Sequence, residues 1–267
     1  MRVFYSCDIT DRKARFSWKD LFERLGEIQW LFFQALSWTR KCFSDHRLVS
    51  SQLLRVGNES VFVVSLISCT VGMVLAIQTV YQLSKVGAEH LVGALVSLSI
   101  ARELGPLMTA LLIAGRVGAA MAAELGTMKV QEEIDALRSL GIHPVRYLVM
   151  PRFVACTSML PLLSVFAYVA GLSGGLFVSF SLADVLPRTY MHYVIMVTST
   201  LDLVAGLIKA FFFGMIIVIV SCYEGLKTVG GAQEVGRATT RAVVAAFISI
   251  LIADFFLTKV LSWTPIG

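Results

Sequence analysis

A charged dipeptide lies inside one of the most apolar parts of this sequence. Arg102 and Glu103 fall within the stretch from Leu91 to Ala123, directly before Gly105-Pro106. A charged side chain in hydrocarbon is costly, and it usually faces a partner, a cavity or a transport pathway. Neighbouring residues on a regular helix point in different directions, so these two side chains are not expected to pair with each other. Each of them therefore needs a partner elsewhere.

Three further charged residues interrupt other apolar stretches. Asp202 and Lys209 are seven residues apart, which places them on one helix face two turns apart, and Asp254 lies in the last apolar stretch. Acids and bases at this depth can pair and lock the helices together. Alternatively, they can line a wet pathway for a charged headgroup or an ion. The sequence leaves both interpretations open.

A polar segment after the second apolar stretch is predicted to form a separate helix over about 127–140. Thr127 is placed as its N-cap, and Glu132 and Glu133 come early while Arg138 comes late, an order that complements the helix dipole. Gly141 follows where a helix commonly ends.

One face of this predicted helix is apolar. Its stripe consists of Val130, Ile134 and Leu137, at spacings of four and three. The stripe can rest on the membrane domain of the protein itself. It can equally fill a groove on a soluble partner, as amphipathic helices do in known complexes. The pattern alone does not separate these two possibilities.

The composition excludes several classes of protein. Hydrophobic residues make up 57% of the 267 residues and charged residues 15%, which indicates a polytopic membrane protein. The net charge of +5 does not indicate nucleic-acid binding, because the basic residues bracket apolar stretches. The five cysteines and four histidines lack metal-ligand spacing, so no metal site is expected. No set of nucleophile, base and orienting group indicates an enzyme or a catalytic residue.

Five apolar stretches are long enough to cross a membrane. An all-α polytopic fold is therefore predicted, with spans at about 60–80, 91–114, 153–180, 197–220 and 242–261. Before them, apolar residues recur at helical spacing, with charges on the other side. They are Trp18, Leu21, Phe22, Leu25, Ile28, Phe32 and Leu36. This pattern favours a helix lying in the membrane interface, with a soluble helix packed on a domain core as the alternative.

The basic residues predict the orientation of the spans. Of the 23 Lys and Arg residues, 18 fall on one side of the five spans and three on the other, with Arg102 and Lys209 inside. Excess positive charge marks the cytoplasmic side. The N-terminus and the connection over 115–152 are thus expected in the cytoplasm, and the C-terminus outside it.

Several separated blocks resemble one known family. They are Ala101-Arg-Glu-Leu-Gly-Pro106, Ala114-Gly-Arg-Val-Gly118, Glu124-Leu-Gly-Thr-Met128, Leu140-Gly-Ile-His-Pro144, Arg237-Ala-Thr-Thr-Arg241 and Asp254-Phe-Phe-Leu-Thr258. In this order they resemble the MlaE/YrbE permeases, the membrane subunits of ABC transporters that work with MCE proteins in lipid traffic. The resemblance covers the chain from about residue 15 to the end.

The resemblance implies a fold and an assembly. Residues 1–55 would form a cytoplasmic segment with the interfacial helix, and residues 56–267 a five-span permease domain in the bacterial inner membrane. The permease would be a homodimer that encloses a phospholipid cavity beneath a periplasmic MCE protein. Cytoplasmic ATPase subunits would complete it, and a small cytoplasmic accessory protein is a further candidate partner.

The resemblance also implies roles for particular residues. The polar helix would be the coupling helix that docks the ATPase, through Thr127, Val130, Glu133, Ile134, Leu137 and Arg138. Arg102 and Glu103 would lie near the lipid cavity, and Lys209 and Asp254 match the other intramembrane charges of the family.

The expected function is phospholipid transport driven by a separate ATPase. The sequence contains no GxxxxGK[ST] phosphate loop, so ATP is expected on the partner and the chain itself needs no cofactor. A proton- or ion-coupled secondary transporter using the intramembrane carboxylates is the alternative. A structural membrane subunit is a third hypothesis, but it leaves the charges at depth unexplained.

Overall fold

The computed structural model describes residues 18–39 and 46–263, and over these residues the chain is all-helical. The helices are α1 (Trp18–Thr39), α2 (His46–Ser84), α3 (Glu89–Val130), α4 (Glu133–Ser139), α5 (Val145–Ala183), α6 (Pro187–Val197), α7 (Thr200–Leu226) and α8 (Ala232–Trp263). Five of them, α2, α3, α5, α7 and α8, are long and apolar enough to cross a membrane. The predicted all-α polytopic fold is confirmed.

The spanning helices extend beyond the apolar stretches that predicted them. The second span was expected to end at about Ala114, whereas α3 continues for four more turns to Val130. Its polar continuation stays helical because neighbouring helices supply partners for its charged side chains. Glu124, for example, pairs with Arg55 of α2 and Arg152 of α5.

Glycines bring the backbones of α2 and α5 into close contact. A Cβ atom at Gly72 would collide with the carbonyl oxygen of Gly171, and one at Gly174 would collide with that of Cys69. Small residues allow such close approach between membrane helices, where van der Waals packing replaces the hydrophobic effect as the main attraction. The α2–α5 pair thus forms a closely packed seam of the bundle.

The last span, α8, packs through one face only. Its buried residues recur every four positions, at Ala238, Ala242, Ala246 and Ile250. The opposite face exposes large apolar side chains, among them Leu251 and Phe255. Within this chain, α8 is therefore a peripheral helix that leaves an apolar surface uncovered.

Helix α1 lies against the bundle, and its two sides differ. Leu31 and Ala35 are buried against α5 and α7, whereas Trp30 and Phe33 are largely exposed. The first part of its predicted apolar face, at Trp18, Leu21, Phe22 and Leu25, lies outside the residues whose side chains are described, as do residues 1–17.

Candidate functional site: an intramembrane charge network

The charged dipeptide lies on a π-helical turn of α3, over Ile100–Leu104. Pro106 has no N–H group and its ring clashes with the carbonyl group four residues earlier, so a regular helix is disfavoured here. The helix widens instead, and the N–H of Gly105 donates to the carbonyl oxygen of Ile100. Such π-turns within α-helices occur frequently at functional sites. The Gly-Pro pair thus determines where the backbone presents Arg102 and Glu103.

Arg102 pairs with the first turn of α7. Its Nε and Nη2 atoms both lie 2.5 Å from Oδ1 of Asp202. The other carboxylate oxygen of Asp202 accepts the backbone N–H of Ser199 at 2.8 Å, in a capping box at the start of α7. The sequence placed Asp202 inside a span, but the structure places it at a helix end, because α7 begins at Thr200.

Glu103 pairs with Lys209, which lies two turns beyond Asp202 on the same face of α7. The Nζ atom of Lys209 lies 2.7 Å from Oε2 of Glu103 and 3.1 Å from Oδ1 of Asp254 on α8. It also donates to the hydroxyl of Thr258 at 2.7 Å. Lys209 therefore joins three helices, and its side chain is only 3% exposed.

These five charged residues, Arg102, Glu103, Asp202, Lys209 and Asp254, form one intramembrane charge network. The two α7 members are buried, with side chains 4% and 3% exposed for Asp202 and Lys209. The two α3 members are not, because Arg102 is 41% exposed and Glu103 is 40% exposed. The structure thus brings together every intramembrane charge that the sequence singled out, and it shows that they pair. Pairing explains how the buried charges are tolerated, and the half-exposed dipeptide still leaves part of the network accessible.

A second charged cluster lies further along α3, and sequence reasoning missed it. One carboxylate oxygen of Glu124 accepts a hydrogen bond from Arg152 at 2.8 Å, and the other contacts Arg55. Arg116 contacts the backbone carbonyl and the carboxylate of Glu59. The sequence does indicate unusual charges here, because Arg116 and Glu124 interrupt a stretch of small residues. It does not show their partners, which lie on other helices.

The predicted helix over 127–140 has different bounds in the structure. Thr127 is not an N-cap, because α3 runs on to Val130 and the Thr127 hydroxyl donates to the carbonyl oxygen of Ala123 at 2.9 Å. The chain turns at Glu132, which has a left-handed backbone conformation with φ 61°, and α4 begins at Glu133. Thr127 and Val130 thus belong to the last turn of the span.

The apolar stripe of this region rests on the protein itself. Ile134 is buried in the main hydrophobic core, and Leu137 packs against that core. The other side of the segment is exposed. It presents Gln131, Glu132, Glu133, Ala136, Arg138, Leu140 and Ile142. Ile134 and Leu137 therefore contribute to the fold, and the exposed side is the one open to a soluble partner.

Asp135 stabilises α4 from its exposed side. Its carboxylate accepts hydrogen bonds from Lys129 at 2.8 Å and from Arg138 at 3.3 Å. The hydrogen bond from Lys129 is the main reason why the pKa of Asp135 lies below its ordinary value of 3.8. The pair ties α4 to the end of α3 across the turn.

Helix α1 contacts the same end of the bundle as α4. Glu27 accepts the Tyr223 hydroxyl and the Lys227 ammonium, both at 2.6 Å, at the end of α7. Trp38 lies against His143, in the connection after α4, with ring centroids 5.6 Å apart. Helix α1, the α4 segment and the α7–α8 connection therefore lie together.

Comparison with known proteins places the chain in a family. The model of the family "Permease MlaE" matches residues 49–260. A "Probable ABC transporter permease protein" of Synechocystis sp. is 41% identical over 250 residues, which cover 94% of this chain and 95% of the relative. One of Rickettsia typhi is 42% identical over 214 residues, 80% of this chain and 83% of the relative.

A plant protein is also similar. The chloroplastic protein TRIGALACTOSYLDIACYLGLYCEROL 1 of Arabidopsis thaliana is 39% identical over 208 residues, which cover 78% of this chain and 59% of that protein. The family match spans nearly all of the membrane bundle, including every member of the charge network. This chain belongs to the MlaE permease family, and it is a permease subunit of an ABC transporter rather than an enzyme.

Proposed function

We propose that this permease moves phospholipid between the bacterial inner membrane and a periplasmic MCE protein, toward or from the outer membrane. The observation that carries the proposal is the half-exposed pair of Arg102 and Glu103 on a π-turn of a membrane-spanning helix. A purely structural pair would be expected to have all its members buried. Here the two counterions on α7 are buried, while the α3 residues stay accessible.

A phospholipid suits such a surface because it is amphiphilic. Its phosphate matches a guanidinium group, which binds phosphate oxygens in a planar, bidentate manner. Its acyl chains need an apolar surface beside the charge. Leu203 of α7 and Phe255 of α8, the residues that follow Asp202 and Asp254 in the sequence, have exposed apolar side chains.

A second copy of the chain completes the cavity in this proposal. One copy leaves the charge network open on one side and the outer face of α8 uncovered. Two copies related by a two-fold axis would enclose a lipid between identical surfaces. The homodimer is thus the unit that carries the substrate.

Energy comes from a separate ATPase that binds ATP, so this chain needs no cofactor of its own. The ATPase docks on the exposed side of the α4 segment, which carries acidic Glu132 and Glu133 at its start and apolar Leu140 and Ile142 at its end. A small accessory protein on the ATPase is compatible with this arrangement. Movement of α4 reaches the bundle through Ile134, which is embedded in the core.

The proposed orientation follows from the basic residues. The end of the bundle that holds α1, α4 and the α7–α8 connection faces the cytoplasm, and the end that holds α6 faces the periplasm. Five spans then put the N-terminus inside and the C-terminus outside. The coupling segment meets a cytoplasmic ATPase in this orientation, and the opposite end meets the MCE protein.

The alternative, a proton- or ion-coupled carrier, has less support. A relay would place carboxylates at successive depths across the bundle. Glu103, Asp202 and Asp254 instead converge on one network around Arg102 and Lys209.

Native mass spectrometry tests the proposal. The complex is released in mild detergent, and the phospholipid bound per permease dimer is measured for wild type, Arg102→Ala and Arg47→Ala. Arg47 is the matched control, since it is an exposed arginine near the start of α2, away from the network. Bound phospholipid should fall in Arg102→Ala alone. Equal lipid occupancy in all three proteins would contradict the proposal.

A further inference from the structure

The charge network contains one more acid than base. Its acids are Glu103, Asp202 and Asp254, and its bases are Arg102 and Lys209. Asp202 is neutralised by Arg102, so Glu103 and Asp254 share the single ammonium of Lys209. Uncompensated charge inside a membrane is costly. The network therefore needs one further positive charge when both carboxylates are ionised.

One of the two carboxylates that share Lys209 is accessible. Of the two carboxylates around Lys209, Asp254 is 17% exposed and Glu103 is 40% exposed. An additional cation therefore reaches the network most easily at Glu103. The ammonium of Lys209 binds Oε2 of Glu103, and the Thr258 hydroxyl lies 3.2 Å from Oε1. These contacts hold the carboxylate in place while part of it stays open.

Arg102 stands next to this open carboxylate. The two residues are adjacent on the π-turn, and each pairs with a buried counterion of α7. Arg102 pairs with Asp202, and Glu103 pairs with Lys209. The result is a fixed cation and a fixed anion side by side on an accessible surface. Because the counterions are buried, the two exposed groups cannot neutralise each other by turning together without breaking both pairs.

We infer that this surface selects a phospholipid whose headgroup carries both a phosphate and a primary amine. The phosphate binds Arg102, and the ammonium donates to Glu103 and supplies the missing positive charge. This inference rests on the proposed function and adds the headgroup class to it. A headgroup with a phosphate and no amine leaves the negative charge at Glu103 uncompensated.

The choice of a primary amine follows from hydrogen bonding. A primary ammonium donates to a carboxylate, and charge-assisted hydrogen bonds of this kind are shorter and stronger than neutral ones. A trimethylated ammonium has the same charge and no N–H group. Phosphatidylethanolamine is therefore the probe for the site, with phosphatidylglycerol and phosphatidylcholine as the two comparisons.

Competition between lipids tests the inference. The whole transporter is placed in nanodiscs of equimolar phosphatidylethanolamine and phosphatidylglycerol, and the lipids that stay bound are counted by native mass spectrometry. Wild type should retain more phosphatidylethanolamine. Glu103→Gln should lower the ratio of the two bound lipids about fivefold, the size expected for one partly exposed ion pair. Glu103→Asp keeps the charge and should keep most of the preference.

Glu59→Gln is the matched control, because Glu59 is also an ion-paired glutamate and contacts Arg116 away from the network. It should leave the ratio unchanged. An unchanged ratio in Glu103→Gln overturns the inference, and it is the result expected if a proton neutralises the network instead.

Wild-type protein provides a second test that does not depend on a stable variant. In nanodiscs of equimolar phosphatidylethanolamine and phosphatidylcholine, the primary amine should again be preferred, and equal retention contradicts the inference. Bound phospholipid without any headgroup preference defeats the inference alone. Absence of bound phospholipid defeats the proposed function as well.

Discussion

Replacing Lys209 with methionine should destabilise the bundle strongly. Lys209→Met keeps much of the side-chain volume and removes the cation that contacts both Glu103 and Asp254. Two carboxylates from different helices are then left close together without their counterion. Removing one partner of a buried ion pair typically costs about 3–5 kcal/mol.

The structure places the expected cost at the lower end of that range. Glu103 is 40% exposed, so its carboxylate can turn toward solvent or headgroups after the substitution, whereas Asp254 is 17% exposed and has less freedom. We expect a loss of about 3 kcal/mol in the free energy of unfolding. For a chain of this size, that corresponds to a melting temperature lower by roughly 6–12 °C.

A second substitution identifies the cause. In Lys209→Met with Asp254→Asn, a single carboxylate remains, and it is the one with access to solvent. Residues in one ion-pair network are not additive, so the double variant should recover at least about half of the lost stability. Thermal unfolding of the purified protein in nanodiscs measures both effects. A single variant that melts within about 2 °C of wild type, or a double variant that is less stable than the single one, would refute this reasoning.

Three further predictions concern other parts of the chain. Gly206→Ala places a methyl group against a carbonyl oxygen of the α3 π-turn. It should lower the free energy of unfolding by about 1–3 kcal/mol and lower the melting temperature. An unchanged melting temperature would show that α3 and α7 can move apart without cost. Ile134→Asp buries a charge in the core and should lower the melting temperature. Ala136→Asp lies on the exposed side, so it should leave the melting temperature unchanged and reduce co-purification of the ATPase. Loss of ATPase co-purification in Ile134→Asp alone, at an unchanged melting temperature, would place the docking surface on the buried stripe. Burial opposes the charge of Lys227, but its hydrogen bonds to Glu27 and to the hydroxyl at the end of α7 raise its pKa above the ordinary value of 10.5. A raised pKa stabilises the folded state up to about pH 10.5, and this contribution is lost as the pH rises through the folded-state pKa. The protection of the α1 amides, measured as hydrogen exchange relative to the intrinsic rate at each pH, should therefore fall there in wild type and change much less in Glu27→Gln.

Hydropathy predicted the five spans because hydrocarbon thickness requires a long apolar stretch whatever the rest of the fold does. It did not predict where the helices end. Arg116 and Glu124 of α3 look like the end of a span in sequence, yet Glu59 and Arg55 of α2 satisfy them. Helix ends of this kind depend on neighbouring helices, and one sequence does not show which helices are neighbours.

The intramembrane charges were predicted as a set, but their pairing was not. Sequence spacing put Asp202 and Lys209 on one face of α7 and showed that Arg102 and Glu103 need other partners. Which acid meets which base depends on the rotation of each helix. The π-turn before Pro106 sets that rotation for α3, and a regular helical spacing does not describe it.

The α4 segment shows the limit of local signals. Thr127 has the residue type of an N-cap, but its hydroxyl bonds within α3, and the turn occurs at Glu132, a residue that rarely adopts a left-handed conformation. Tertiary packing of Ile134 explains this turn better than any local preference, since it draws α4 back onto the core. The roles of the intramembrane charges in lipid transport and of α4 in ATPase docking stay predictions.

Phospholipid transfer by the assembled complex is the measurement that decides whether the permease carries lipid. The complex, purified with its ATPase and periplasmic partner, is reconstituted in liposomes with radiolabelled phospholipid, and transfer between the membrane and the partner is followed with and without ATP. Wild type should transfer phospholipid only with ATP, and Arg102→Ala should lose transfer while the complex stays assembled and hydrolyses ATP. A complex that hydrolyses ATP and moves no phospholipid in either direction would contradict the proposed function. Equal transfer by wild type and Arg102→Ala would remove the charge network from the transport pathway.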